Sequence, residues 1–124
     1  MVMGDLITAV TYKLPVKLIV SDNSRLGMVK LEQEQGGLPE FGTILLNPDL
    51  AAVARACGLH GIRVEDSYEL DDAVQAALAH DGPVLLDVVT NPDEIAIPAH
   101  LTLAEGWGFA IAKVTETLRS PGEK

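Results

Sequence analysis

The sequence predicts an α/β domain of three layers, with helices on both sides of a parallel sheet. Three observations carry that reading. Apolar residues make up 48% of the 124 residues while aromatics make up only 4%, so the core is aliphatic. Short apolar runs at 16–20, 62–64 and 84–89 alternate with segments of helical period. The run 84–89 is apolar on both faces apart from Asp87, the pattern of a strand buried in a parallel sheet. The length fits one domain, residues 1–124, large enough to bury a core without disulfides or metals.

Taken in order, residues 1–12 form a helix with Leu6, Val10 and Ile7 towards the core, stopped by Pro15. Residues 16–20 are the first strand, and 28–35 a short helix closed by Gly36-Gly37. Residues 36–48 mix Gly, Pro, Phe and Asn without a period and form a loop. Pro48 opens a helix to Cys57, with Asn47 as its cap and Gly58 after its end. Residues 62–64 are the second strand. Asp66, with Glu69 three residues on, resembles a capping box and starts a helix to His80 that places Leu70, Val74, Ala77 and Leu78 on one face. Asp81-Gly82-Pro83 turns the chain into the third strand, 84–89. Pro92 and Pro98 bracket a loop, and 103–118 is the last helix, with Trp107, Ile111 and Val114 expected inward. Residues 119–124 are expected to fray.

Composition excludes several function classes. A net charge of −9 argues against nucleic-acid or anionic-membrane partners. No apolar run is long enough to form an integral membrane segment, and no signal peptide is readable at the N-terminus. Cys57 is the only cysteine, which suits a reducing compartment, so a cytoplasmic location is expected. Cys57 and His60 lie close in sequence, but His80 and His100 are distant, so the spacing is not that of a zinc site. Cys57 is expected as a small core residue, and Asp71-Asp72 and Glu32/Glu34 as solvated helix faces. Asp87 stands apart, since a carboxylate within a buried strand is costly unless it is hydrogen-bonded. No Ser/His/Asp arrangement and no glycine-rich phosphate loop is present.

The turn Asp22-Asn23-Ser24 follows the apolar run Leu18-Ile19-Val20 and precedes Arg25-Leu26-Gly27. On the residues alone it is either an Asx-turn that satisfies local backbone or a ligand site, because parallel sheets bind ligands at the carboxyl ends of their strands.

The wider order of motifs bears on that choice. Met3-Gly4-Asp5-Leu6, Lys13-Leu14-Pro15-Val16-Lys17 and Asp22 to Val29 are followed by Ala54-Arg55-Ala56-Cys57-Gly58 and Gly61-Ile62-Arg63-Val64-Glu65. Then come Asp81-Gly82-Pro83-Val84-Leu85-Leu86-Asp87-Val88-Val89 and Ile97-Pro98. This succession resembles the C-terminal cofactor domain of thiamine-diphosphate enzymes over nearly the whole chain. It is most similar to pyruvate oxidase and pyruvate:quinone dehydrogenase, with acetolactate synthase next.

The resemblance implies a thiamine-diphosphate-binding fold and a magnesium ion that holds the cofactor's diphosphate. In that family a Gly-Asp-Gly element supplies a carboxylate, an Asn-Asn pair an amide oxygen, and a carbonyl two residues later a third oxygen. Asn23 matches the amide and Arg25 the carbonyl, so these two are the implied metal ligands, with Asp22, Asn23, Ser24, Arg25, Leu26 and Gly27 as the implied cofactor-binding turn. Asp22 replaces the first Asn. Gly4-Asp5 does not replace Gly-Asp-Gly, because Leu6 follows it.

The missing element implies a domain lacking its first strand, truncated from an enzyme whose N-terminal domains would be its partners and whose flavin, if used, would sit in another domain. Such a fragment is expected to be inactive alone, to bind neither thiamine diphosphate nor magnesium appreciably, and to form a homo-oligomer that covers the vacated strand position. The alternative is a non-catalytic oligomerisation or regulatory module that kept the fold.

Overall fold

The computed structural model describes residues 3–94 and 102–118. They form two compact units, one of residues 3–23 with 47–90, the other of residues 24–46 with 91–94 and 102–118.

The first unit carries the sheet. Its elements are α1 (Asp5–Thr11), β1 (Lys17–Asp22), α3 (Leu50–Ala56), β2 (His60–Val64), α4 (Leu70–Ala79) and β3 (Val84–Val89); α2 (Gly27–Gln35) and α5 (Leu103–Leu118) belong to the second unit. The strands are all parallel in the order β1-β3-β2. Lys17 pairs with Val84 and Asp22 with Val89 along one side of β3, and His60 with Val84 through Val64 with Val88 along the other. The α/β expectation is met. The central strand occupies the span read for it, 84–89, because a strand flanked on both sides has no polar face to blur its ends.

Successive residues of β3 point to opposite faces. Leu85 joins Leu6, Ala54 and Leu59 under α1 and α3. Leu86 joins Val64 and Ala73 under α4. The unit therefore has helices on both faces of its sheet.

Asp87 follows Leu86 and is fully buried. Its Oδ2 accepts from Arg63 Nη1 at 2.5 Å, across the register pair Arg63–Asp87, and from the Leu50 N–H at 3.3 Å. One carboxylate oxygen thus ties β3 to β2 and to the first turn of α3. Its Oδ1 meets no hydrogen-bond partner among the described residues.

Several boundaries differ from the sequence reading. β1 runs to Asp22, two residues beyond the apolar run, because the ladder continues: the Thr90 N–H donates to the Asp22 carbonyl at 2.9 Å. The cap of α3 is Asp49, whose Oδ1 accepts from the Ala52 N–H at 2.7 Å. Asn47 is not the cap, because its side chain is engaged by Asp22 at 2.7 Å. Asp66 caps a single 3-10 turn, Ser67–Glu69, by accepting from the Tyr68 N–H, and α4 follows. In α1, Leu6 and Ala9 are buried while Ile7 is exposed.

The second unit pairs α2 (Gly27–Gln35) with α5 (Leu103–Leu118). The contact uses the small face of α5, Gly108 and Ala112. A Cβ on Gly108 would stand 2.0 Å from the Gln35 carbonyl oxygen, so only glycine permits this approach. Trp107, Ile111 and Val114, expected inward, are therefore on the exposed side, at 72%, 44% and 60% exposure. Glu34 is not solvated either: it is 2% exposed, and Lys113 Nζ donates to its Oε1 at 2.6 Å. Residues 95–101 and 119–124, with Pro98, His100 and the expected frayed end, lie outside the described residues.

Gly61 marks a close approach of α3 to β2. A Cβ there would lie 2.2 Å from the Ala51 carbonyl oxygen, which only a shift of helix backbone could relieve. Gly61→Ala is expected to lower stability by about 2 kcal/mol, as overpacking of a tight contact does. Urea unfolding followed by circular dichroism measures it, and an unchanged midpoint would mean that α3 stands further from the strand.

Candidate functional site

The turn after β1 begins where the sheet ends. Asp22, the last strand residue, is 5% exposed; its Oδ1 accepts from Asn47 Nδ2 at 2.7 Å and its carbonyl caps the ladder through Thr90. Asn23, half-buried, is the next residue in the first unit. Both stand at the carboxyl end of a parallel strand, the position where open α/β sheets take ligands.

Ser24 to Gly27 belong to the second unit. Ser24 has φ +49°, in the left-handed region. Arg25 forms an isolated antiparallel bridge with Ile44, whose two hydrogen bonds engage the Ser24 carbonyl (from the Leu45 N–H, 2.9 Å) and the Leu26 N–H (to the Thr43 carbonyl, 2.8 Å). α2 starts at Gly27, and no side chain caps it among the described residues. An α-helix start carries unsatisfied N–H groups and a partial positive charge, which suit an anion.

A charged cluster surrounds the start of α2. Arg25 Nη1 and Lys30 Nζ both reach Asp93 Oδ1, at 2.8 and 2.7 Å, and both lie within 3.7 Å of the Glu40 carboxylate. Lys30's hydrogen bond and charge hold the Asp93 carboxyl below its ordinary 3.8. Further along α2, Lys113 bridges Glu34 and Glu116. Burial pushes Glu116 up, but the Glu40 N–H and the Lys113 ammonium outweigh it, and Glu116 titrates below its ordinary 4.5. These networks and the Asn47–Asp22 contact were not read from the sequence. The pairs Asn47–Asp22, Lys30–Asp93 and Lys113–Glu34 lie 25, 63 and 79 residues apart, so no local spacing marks them.

The structure also brings His80 to His60, rings stacked at 4.7 Å, although they are far apart in sequence. Among the described residues no three His, Cys, Asp or Glu side chains stand together as a metal site. Cys57 sits half-buried at the C-cap of α3, and Asp71 and Asp72 are exposed on the first turn of α4.

With this geometry in place, comparison with known families decides the ancestry. The profile of the thiamine pyrophosphate enzyme C-terminal TPP-binding domain matches residues 1–88. The chain belongs to that family. Among similar proteins, the putative thiamine pyrophosphate-containing protein YdaP of Bacillus subtilis is 42% identical over 110 residues, covering 89% of this chain and 19% of that protein. The mitochondrial acetolactate synthase catalytic subunit of Saccharomyces cerevisiae is 34% identical over 99 residues, 79% of this chain and 14% of its own length. The pyruvate oxidase of Lactiplantibacillus plantarum is 34% identical over 96 residues, 75% and 16%. The chain thus spans less than a fifth of these relatives. No helix among the described residues is long and apolar enough to cross a membrane.

The depressed Glu116 carboxyl fixes a pH dependence. A carboxylate whose folded value is lowered stabilises above its ordinary value, and that contribution fades as pH falls from about 4.5 through the lowered value. Glu116→Gln is therefore expected to be less stable than the parent chain at neutral pH, with the difference shrinking below about pH 4. Urea midpoints at both pH values check this; a gap independent of pH would mean that Glu116 does not act through its charge, and no gap at all that it takes no part in the stability of the α2–α5 pair.

Proposed function

We propose that the chain contributes part of a magnesium–diphosphate site to a thiamine-diphosphate-dependent enzyme of the pyruvate oxidase and acetolactate synthase type. Magnesium takes hard oxygen ligands in an octahedron and keeps phosphate oxygens among them. The Asn23 amide and the Arg25 carbonyl are donors of that class, two residues apart along the chain. The uncapped start of α2, from Leu26 and Gly27, suits the diphosphate. When bound, thiamine diphosphate would supply an electron sink for a carbanion at a former carbonyl carbon; this chain's residues would hold its diphosphate end.

The donor set is incomplete. Two neutral oxygens do not fill an octahedron, and the carboxylate adjacent in sequence, Asp22, accepts from Asn47 through its Oδ1. The residues therefore fit half a site. The chain alone is inactive on pyruvate, and the missing carboxylate, the pyrimidine-binding domain and any flavin come from elsewhere in a longer polypeptide or from partner chains. A homo-oligomer and a cytoplasmic location complete the reading, the latter resting on the single cysteine. The observation that carries the proposal is Asn23 directly after the last residue of a parallel strand, within a chain of this family.

Calorimetric titration with magnesium and thiamine diphosphate tests it. Weak binding that does not saturate at millimolar cofactor, and that Asn23→Ala abolishes, is the expected result. Residual binding unaffected by Asn23→Ala would place the site elsewhere. Tight binding lost in that variant would show that the site is complete without further ligands.

A further inference from the structure

The proposed site uses the Arg25 carbonyl, and a backbone carbonyl is aimed through the peptide plane that carries it. That plane also carries the Leu26 N–H. The peptide bond is trans, so the Arg25 C=O and the Leu26 N–H point in opposite directions. The Leu26 N–H donates to the Thr43 carbonyl at 2.8 Å. The Arg25 carbonyl therefore faces away from Thr43. On the other side of Arg25, the Leu45 N–H donates to the Ser24 carbonyl at 2.9 Å, so the preceding plane is held by the same segment. We infer that Thr43 is a positioning residue for the metal ligand: it aims the Arg25 carbonyl by holding the opposite edge of its peptide plane. The inference rests on the proposed function and names the residue that orients one of its ligands.

Residues 36–46 form no helix and no strand. Thr43 is nevertheless fully buried, while Gly42 and Ile44 on either side of it are exposed. A buried hydroxyl needs a partner, and Thr43 Oγ1 donates to Glu40 Oε1. The Glu40 carboxylate also meets Arg25 Nε at 3.5 Å and Lys30 Nζ at 3.7 Å. Thr43 thus acts on Arg25 twice, on its backbone through Leu26 and on its side chain through Glu40.

The segment that carries Thr43 is itself fastened. Gln33 on α2 pairs with the Phe41 backbone in both directions: its Oε1 accepts from the Phe41 N–H and its Nε2 donates to the Phe41 carbonyl, each at 3.0 Å. The Glu40 N–H donates to Glu116 Oε1 on α5, also at 3.0 Å. All of these residues belong to the unit that holds Arg25. They leave the Thr43 carbonyl a fixed point against which the Arg25–Leu26 plane is set.

Thr43→Val removes the hydroxyl at nearly constant shape, and Thr43→Ser keeps it. The full chain is followed by triple-resonance NMR, which reads the Arg25 carbonyl carbon through the Leu26 amide. Without cofactor, hydrogen exchange at the Leu26 amide should be faster in Thr43→Val than in the parent chain or Thr43→Ser. Titration with magnesium and thiamine diphosphate should move the Arg25 carbonyl and Asn23 side-chain resonances. The initial slope of both should fall about tenfold in Thr43→Val, as on removal of a group that orients a metal ligand, while Thr43→Ser follows the parent. If Thr43→Val loses its amide dispersion, Gln33→Met, which frees Phe41, takes its place with the same expectation.

Slopes or a Leu26 exchange rate unchanged by Thr43→Val, or a loss that Thr43→Ser shares, overturn the positioning role and leave the half-site standing. An Asn23 shift in the parent without an Arg25 shift overturns the positioning role together with the Arg25 ligand. No shift at either residue in the parent overturns the half-site itself, and the inference with it.

Discussion

A buried carboxylate in the middle of the central strand holds the sheet unit together. Asp87 is the residue least suited to a strand whose first three residues, Val84, Leu85 and Leu86, are buried apolar side chains, and burying it without partners would cost several kcal/mol. Two partners offset the cost, and each fixes something. Arg63 can reach Asp87 only when β2 and β3 stand in their observed register. The Leu50 N–H can reach it only when α3 starts where it does. Apolar packing alone would tolerate a slip of β2 by two residues; this ion pair does not.

The same constraint extends to the candidate site. Leu50 and Asn47 lie three residues apart in one connection. Asp87 on β3 holds the first and Asp22 on β1 holds the second. Two carboxylates on neighbouring strands thereby pin the chain that leads into α3, and in doing so fix how β1 ends. Asn23 follows directly. The position of Asn23 is a consequence of strand register, and the amide oxygen it carries at the strand end is the donor that the proposed site uses.

What was legible in the sequence was what periodicity and local chemistry determine. The span of β3, the span of α5 and the turn at Asp22-Asn23 were all readable, because apolar runs and their interruptions mark them. What was not legible depended on partners distant in sequence. Asn47 looked like a cap because it precedes Pro48, but Asp22 takes its side chain and leaves the cap to Asp49. The inner face of α5 was misread because its largest apolar residues suggested a core, whereas the approach to Gln35 admits only Gly108. Glu34 looked solvated until Lys113, 79 residues away, is placed beside it. At the candidate site, Asn23 and Arg25 were singled out through family resemblance alone, whereas the cluster of Arg25, Lys30, Glu40 and Asp93 was not foreseen, since Asp93 lies more than 60 residues from its two cationic partners.

The claim that Asp87 and Arg63 jointly fix the sheet is tested most directly by a double-mutant cycle on unfolding free energy, with Arg63→Met, Asp87→Leu and the double variant. Removal of Arg63 alone should cost about 3 kcal/mol, because it leaves a buried charge unpaired. The double variant should recover much of that loss, giving a coupling of about 2 kcal/mol. Strictly additive effects would contradict the account, and would mean that apolar packing alone sets the register of β2 on β3.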